Sequence, residues 1–335
     1  MQLPPATAER IRRAVEDLDY RPHAQARRLS RGRADALGIV VPDISNPFFA
    51  LIASEAERVA TEAGFDLVIW SSRNLIEREL GCFDRLASSF IDGLILITNH
   101  EDDGRLAAAI DRHKNRVVIV DEDVRNTSAP KFFVENEFGG YHATKHLIDH
   151  GHRHILHIGG PRGVMSAIER ASGWKRALSE AAIEPRSDWQ IFTEYEVGPA
   201  TESAGAIFRR SPRPTAVFAG SDAIALGVLA QARAHHVSIP LDMSLAGFDG
   251  MPIIDLLGPP LTSIAQPIDA LGRLSAEKLI EMLGGKSETA KTVRLPVALV
   301  PRSSVSIPKQ EIGPATPAPT NRMAGMFPQS INKGE

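Results

Sequence analysis

Residues 20–33 read YRPHAQARRLSRGR, five arginines with no acid among them. If residues 22–30 form a short helix, Ala26 and Leu29 share one face and Arg27, Arg28 and Arg31 flank it. Guanidinium groups hold phosphates, and a single apolar side chain among them can wedge open a base step in a minor groove. The plainer alternative is a solvated basic linker. Other groups promise less chemistry. His150, His152, His154 and His157 have the look of metal ligands. Yet they alternate into an apolar strand, and no cysteine or carboxylate cluster accompanies them, so no metal site is expected. The loop IGGPRG has the glycines of a phosphate cradle but no GK[ST]. No Ser-His-Asp set or carboxylate pair stands out. The expectation is a protein that is not an enzyme and uses no cofactor.

The bulk numbers fit a basic arm on an acidic body. Residues 1–33 hold eight arginines against four acids, a formal +4, which leaves −7 on the other 302 of the 335 residues. Such an arm meets a polyanion and the body does not. Cys82 is the only cysteine, so no intrachain disulfide is possible and a cytoplasmic setting is expected. No secretory leader and no apolar run long enough to span a membrane can be read.

The elements that must position these residues follow from periodicity. Ile11, Ala14, Val15 and Leu18 recur at helical spacing over 6–18, with Pro5 or Thr7 marking the start. From Ala36 the pattern alternates strand and helix: 36–41, a helix ended by Gly64, 65–70, 75–90, 93–98, 104–112 and 116–121. A second series follows from about 135: helix 139–150, strand 154–159, helix 166–183, strand 189–194, helix 200–210, strand 215–220, helix 222–235 and strand 244–249. Helix 268–283 and one strand over 291–300 close the body. Each series reads as an α/β doubly wound parallel sheet, and two such lobes enclose a cleft at the carboxyl ends of their strands. Phe48 and Phe49 follow the first strand, and Asp121 and Glu122 end the strand RVVIVD, so these residues fall at that edge.

The run ERIRRAVEDLDYRPHAQARRLSRGRADALGIVVPDISNPFFA resembles the lactose-repressor/galactose-repressor (LacI/GalR) family of bacterial transcription regulators. The resemblance continues through DGLIL, HLIDHGHRHILHIGGP, ERASGWKRAL, PTAVFAGSDAIALGVL, SLAGFDGMPI, PPLTSIAQP and LVPRSSV, up to residue 305. It implies two periplasmic-binding-protein-type lobes behind a helical DNA-binding headpiece and hinge helix. The family hinge YxPNxxARxL is matched at Tyr20, Pro22, Ala26, Arg27 and Leu29, with His23 in place of its asparagine. The implied DNA-contacting residues are Tyr20, Arg21, His23, Ala26, Arg27, Leu29 and Arg31. In the family, two further helices precede the one at 6–18, so roughly 25–30 residues of a helix-turn-helix are expected ahead of Met1.

The implied division is 1–19 headpiece remnant, 20–34 hinge helix and linker, 35–134 with 266–295 N-terminal lobe, 135–265 with 296–305 C-terminal lobe, and 306–335 disordered tail. The ligand set expected from the resemblance and from strand ends is Phe48, Phe49, Glu122, Ser166, Arg170, Ser221, Asp249 and Gln266. Two departures bear on the ligand. Ser221 stands where the family often has asparagine, and Ala200 stands where many sugar-binding members place an aromatic ring. The expected protein is a ligand-responsive regulator, a repressor acting as a homodimer on operator DNA, with a sugar or sugar acid as effector. The alternative is a small-molecule sensor without its own DNA readout.

Overall fold

The computed structural model describes residues 4–18, 33–101, 103–285 and 291–309. Helix α1, Pro5–Asp17, begins at its proline, whose missing N–H is no loss in a first turn. Ile11 and Val15 on it and Leu18 just after it are 49%, 37% and 76% exposed. Tyr20, Arg21, His23, Ala26, Arg27, Leu29 and Arg31, the expected hinge contacts, lie outside the described residues.

Strand β1 (Ala36–Val41) is buried along its whole length, as an apolar run covered on both faces must be. It pairs in parallel with β2 (Asp66–Ser71) on one side and β3 (Gly93–Leu96) on the other. Strands β4 (Val117–Val120) and β5 (Lys131–Val134) extend that sheet. The second sheet holds β6 (Ile155–Gly159), β7 (Gln190–Phe192), β8 (Ala216–Ala219), β9 (Ser244–Asp249) and β10 (Thr262–Ala265). Strands β11 (Thr292–Leu295) and β12 (Ala298–Val300) finish the two sheets, giving the orders β11-β5-β4-β3-β1-β2 and β12-β10-β9-β8-β6-β7. Among the described strands only β12 runs antiparallel, against β10.

The expected single strand 291–300 is thus two strands in different sheets. Pro296 and Val297 separate them, and proline has no N–H to carry a ladder onward. The short strands β5 and β10 were not expected. The helix expected at 200–210 is α7, Val197–Ala204, followed by a 3-10 turn at Ile207–Arg209.

The remaining helices are α2 (Pro47–Glu62), α3 (Ile76–Ala87), α4 (Arg105–Arg112), α5 (Asn136–Asp149), α6 (Met165–Glu180), α8 (Asp222–Ala234) and α9 (Ile268–Leu283). The chain crosses between sheets three times: from β5 into α5, from β10 into α9, and from β11 into β12. In each sheet the order reverses beside its first strand, between β1 and β3 and between β6 and β8. Open α/β sheets bind ligands at such points. Among the described residues no helix is long and apolar enough to cross a membrane.

The disordered tail expected from 306 is corrected at its start. Ser306 donates its N–H to Ser244 Oγ at 3.0 Å and Lys309 pairs with Asp242 at 2.5 Å, so the chain is held to the lobe through residue 309. Residues 310–335 lie outside the described residues.

Candidate functional site

The two reversal points face each other across a cleft, and the residues there come from strand ends and helix starts. Asn46 caps α2, its Oδ1 accepting from Phe48 N at 3.1 Å. Asn46 Nδ2 reaches Tyr195 O of the other lobe at 3.5 Å. This cap fixes the first turn of α2 and aims Phe48 and Phe49 inward, both 3% exposed and edge to face at 5.2 Å between ring centres. Together with Asp121, Ser166, Arg170, Tyr195, Ser221 and Asp249 they line a cavity of about 20 Å³. That is about the space of one water. A ring-sized ligand therefore enters only when the lobes part.

Arg170, on α6, is 3% exposed and immobilised from three directions. Nε donates to Asn136 Oδ1 at 2.9 Å, and Nη1 donates to Gly220 O at 2.6 Å and lies 3.8 Å from Asp249 Oδ1. The guanidinium also sits 3.8 Å over the Phe248 ring. Burial opposes its charge, but Tyr195, Asp249, Asp121 and Glu122 around it more than offset that.

Acids outnumber it. Asp121 directly follows β4 and Asp249 ends β9, both with positive φ, 70° and 114°, conformations that non-glycine residues rarely adopt. Such strain clusters where a side chain must be aimed. Burial pushes the Asp121 carboxyl up to about 6. Burial, aided by Asp121, pushes Glu122 up to about 8. Burial also raises Asp249 and Asp222 well above the usual carboxylate range, each beside the other. At neutral pH Glu122 is mostly protonated and can donate as well as accept. The site thus mixes donors and acceptors around two aromatic walls.

Of the eight residues expected to bind ligand, six line this cavity: Phe48, Phe49, Ser166, Arg170, Ser221 and Asp249. Two sit one layer back. Glu122 accepts from Ser166 N at 2.9 Å, tying one lobe to the first turn of α6 in the other. Gln266 donates from Nε2 to Asp249 Oδ1 at 2.8 Å and orients that carboxyl. Ser221 spends its hydroxyl capping α8, where it accepts from Ile224 N at 3.1 Å.

The expected loss of an aromatic ring is corrected. Ala200 is buried in α7, but Tyr195 supplies a ring five residues earlier, its hydroxyl 2.8 Å from Ser166 Oγ. The sequence signal lay elsewhere: a Cβ at Gly160 would run into the Tyr195 phenol, so that loop glycine makes room for a ring and not for a phosphate. The histidines are structural. His152 bonds Thr215 and Ser244, and His157 stacks on Phe218 at 4.8 Å.

Comparison with known proteins places the fold. Residues 144–305 match the periplasmic binding protein-like domain. The HTH-type transcriptional repressor PurR of Vibrio atlanticus (strain LGP32) is 31% identical over 301 residues, 90% of each chain. The chain belongs to the LacI/GalR family of bacterial transcriptional regulators. Solved members share its fold. The complex of the regulator CelR with cellobiose is 28% identical with a TM-score of 0.74, covering 90% of this chain and 92% of that one. A LacI family regulator from Enterococcus faecium, with bound ribose, is 26% identical with a TM-score of 0.72, covering 82% and 100%. This LacI/GalR member is accordingly a DNA-binding transcriptional regulator with an effector-binding core.

Proposed function

We propose that this regulator is a homodimeric repressor whose operator affinity is set by a neutral, hydroxyl-rich metabolite of sugar type, bound between Phe48, Phe49 and Tyr195. The observation that carries the reading is the charge balance of the cleft. One arginine, already bonded to Asn136 and Gly220, faces Asp121, Glu122 and Asp249. An anion entering there meets more carboxyl oxygen than free guanidinium, whereas sugar hydroxyls can donate to the carboxyl oxygens of Asp121 and Asp249 that line the cleft. Aromatic walls suit the C–H face of a sugar ring. A sugar acid is therefore disfavoured relative to the neutral sugar. Binding acts on DNA affinity only through its preference for one lobe arrangement.

Calorimetric titration with ribose, cellobiose and gluconate tests this. Binding of a neutral sugar, lost in Arg170→Ala, is expected. Tighter binding of gluconate, or undiminished binding in Arg170→Ala, would overturn the reading. The dimer has its own support: edge strand β2 exposes Ile69 by 44%, Ile44 (43%) donates its N–H to Ser71 Oγ at the end of that strand, and Leu75 (50%) follows four residues later. Light scattering should give twice the 36.4 kDa chain mass, and Ile69→Lys should halve it. A monomeric wild type would refute the dimer.

A further inference from the structure

The tight cleft does not end at its aromatic walls. Asn46 and Tyr195, two of its lining residues, also line a second and larger space of about 370 Å³. This outer chamber lies between the loop 43–47 of one lobe and residues 195–198, 223–226 and 251–253 of the other. Its walls differ in kind from those of the inner cleft. Val197 and Ile253, each 44% exposed, stand beside Pro47, Leu226 and Met251. Among the described residues no lysine, arginine or histidine lines it. Its two acids are already engaged. Asp43 accepts from Ser45 N and Oγ at 2.9 and 2.6 Å, and Glu196 accepts from Asn74 Nδ2 at 2.7 Å.

We infer that the effector is a two-part molecule: a hydroxyl-rich ring in the inner cleft, joined to an uncharged, largely apolar or planar group that fills the outer chamber. Resting on the head-group reading above, the inference adds the class of the second part. The partly exposed apolar side chains on both lobes lose water only when something apolar lies between them, and that burial favours lobe closure. The same chamber rejects a phosphate or carboxylate extension, because it offers acids and no cation. Glycosides and nucleoside-like compounds therefore fit where sugar phosphates do not.

The test compares extensions on one head group. Methyl and phenyl β-D-glucosides, methyl and phenyl β-D-ribosides, glucose 6-phosphate and ribose 5-phosphate are titrated into the full chain. In the series whose methyl glycoside binds, the phenyl glycoside should bind about tenfold tighter, equivalent to about 1.4 kcal/mol. The sugar phosphate should bind more weakly than the methyl glycoside. In Val197→Asp/Ile253→Asp the phenyl advantage should disappear while the methyl glycoside shifts less than about threefold. Both positions are half-exposed, so the variant should fold, and an unchanged melting curve checks that. Equal affinities for phenyl and methyl glycosides, or a phenyl advantage that survives in the variant, overturn the chamber assignment and leave the head group standing. Failure of both methyl and phenyl glycosides in both series overturns the head-group reading, and the chamber assignment falls with it.

Discussion

Arg170 is held so firmly that its replacement should be felt twice. Lysine in its place is a point charge on a flexible stem and cannot reach Asn136 Oδ1 and Gly220 O together. Arg170→Lys should cost about 2–4 kcal/mol of stability, read by chemical denaturation, because buried acceptors and Asp249 lose their partner. The acids make a separate prediction about pH. Glu122 has a raised folded-state value, about 8 against 4.5, so the native state keeps a proton that the unfolded chain has released. Its stability contribution is therefore undiminished below about 4.5 and falls as pH rises toward 8. Asp121 acts the same way over a lower window ending near 6. His157, pulled down by burial to about 4, works in the opposite sense, costing stability as pH falls from 6.5. The melting temperature should decline from pH 6 to pH 9, and Glu122→Gln should flatten that decline. An equally steep decline in Glu122→Gln would show that Glu122 is not the group responsible.

At the scale of elements, helices α5 and α6 approach through glycines. A Cβ at Gly140 would run into the backbone carbonyl of Arg170, and one at Gly173 into that of Glu137. The crossing that packs the second lobe therefore also sets the position of the clamp residue. Gly140→Ala should lower both the melting temperature and effector affinity, since α6 must retreat and carry Arg170 with it. Loss of stability with full affinity would separate the two.

Elements of this kind were readable from the sequence to different depths. The long buried runs β1 and β9 and the amphipathic helices α2 and α9 announce themselves by period and length. Strands β5 and β10 open on Lys131 and on Thr262 and Ser263, so neither presents the continuous apolar run that marks the other short buried strands. Arg170 and Asp249 came from motifs that stand intact. Tyr195 was missed because it follows a three-residue edge strand, and the glycine that accommodates it lies 35 positions earlier, in the loop after β6. Such a pairing exists only in three dimensions.

For the whole molecule, the three crossings on one side leave the opposite side of the cleft free to open. Contacts between lobes then decide how long a ligand stays. Asn74 donates to Glu196 at 2.7 Å across the gap, and Glu122 holds Ser166 N. Arg294 on β11 meets Glu169 on α6 with two bonds, 2.8 and 2.7 Å. Since the closed cavity holds about 20 Å³, every ligand must enter through an open form, and exit requires these ties to break. Asn74 has φ 54°, so glycine there keeps the backbone unstrained while removing the tie. Losing one part-buried hydrogen bond, about 1 kcal/mol net, should speed dissociation about fivefold. Association should hardly change, because the tie forms only after the lobes meet. Stopped-flow fluorescence on Asn74→Gly with the tightest sugar found separates the two rates. A slower association with unchanged dissociation would place this contact before closure.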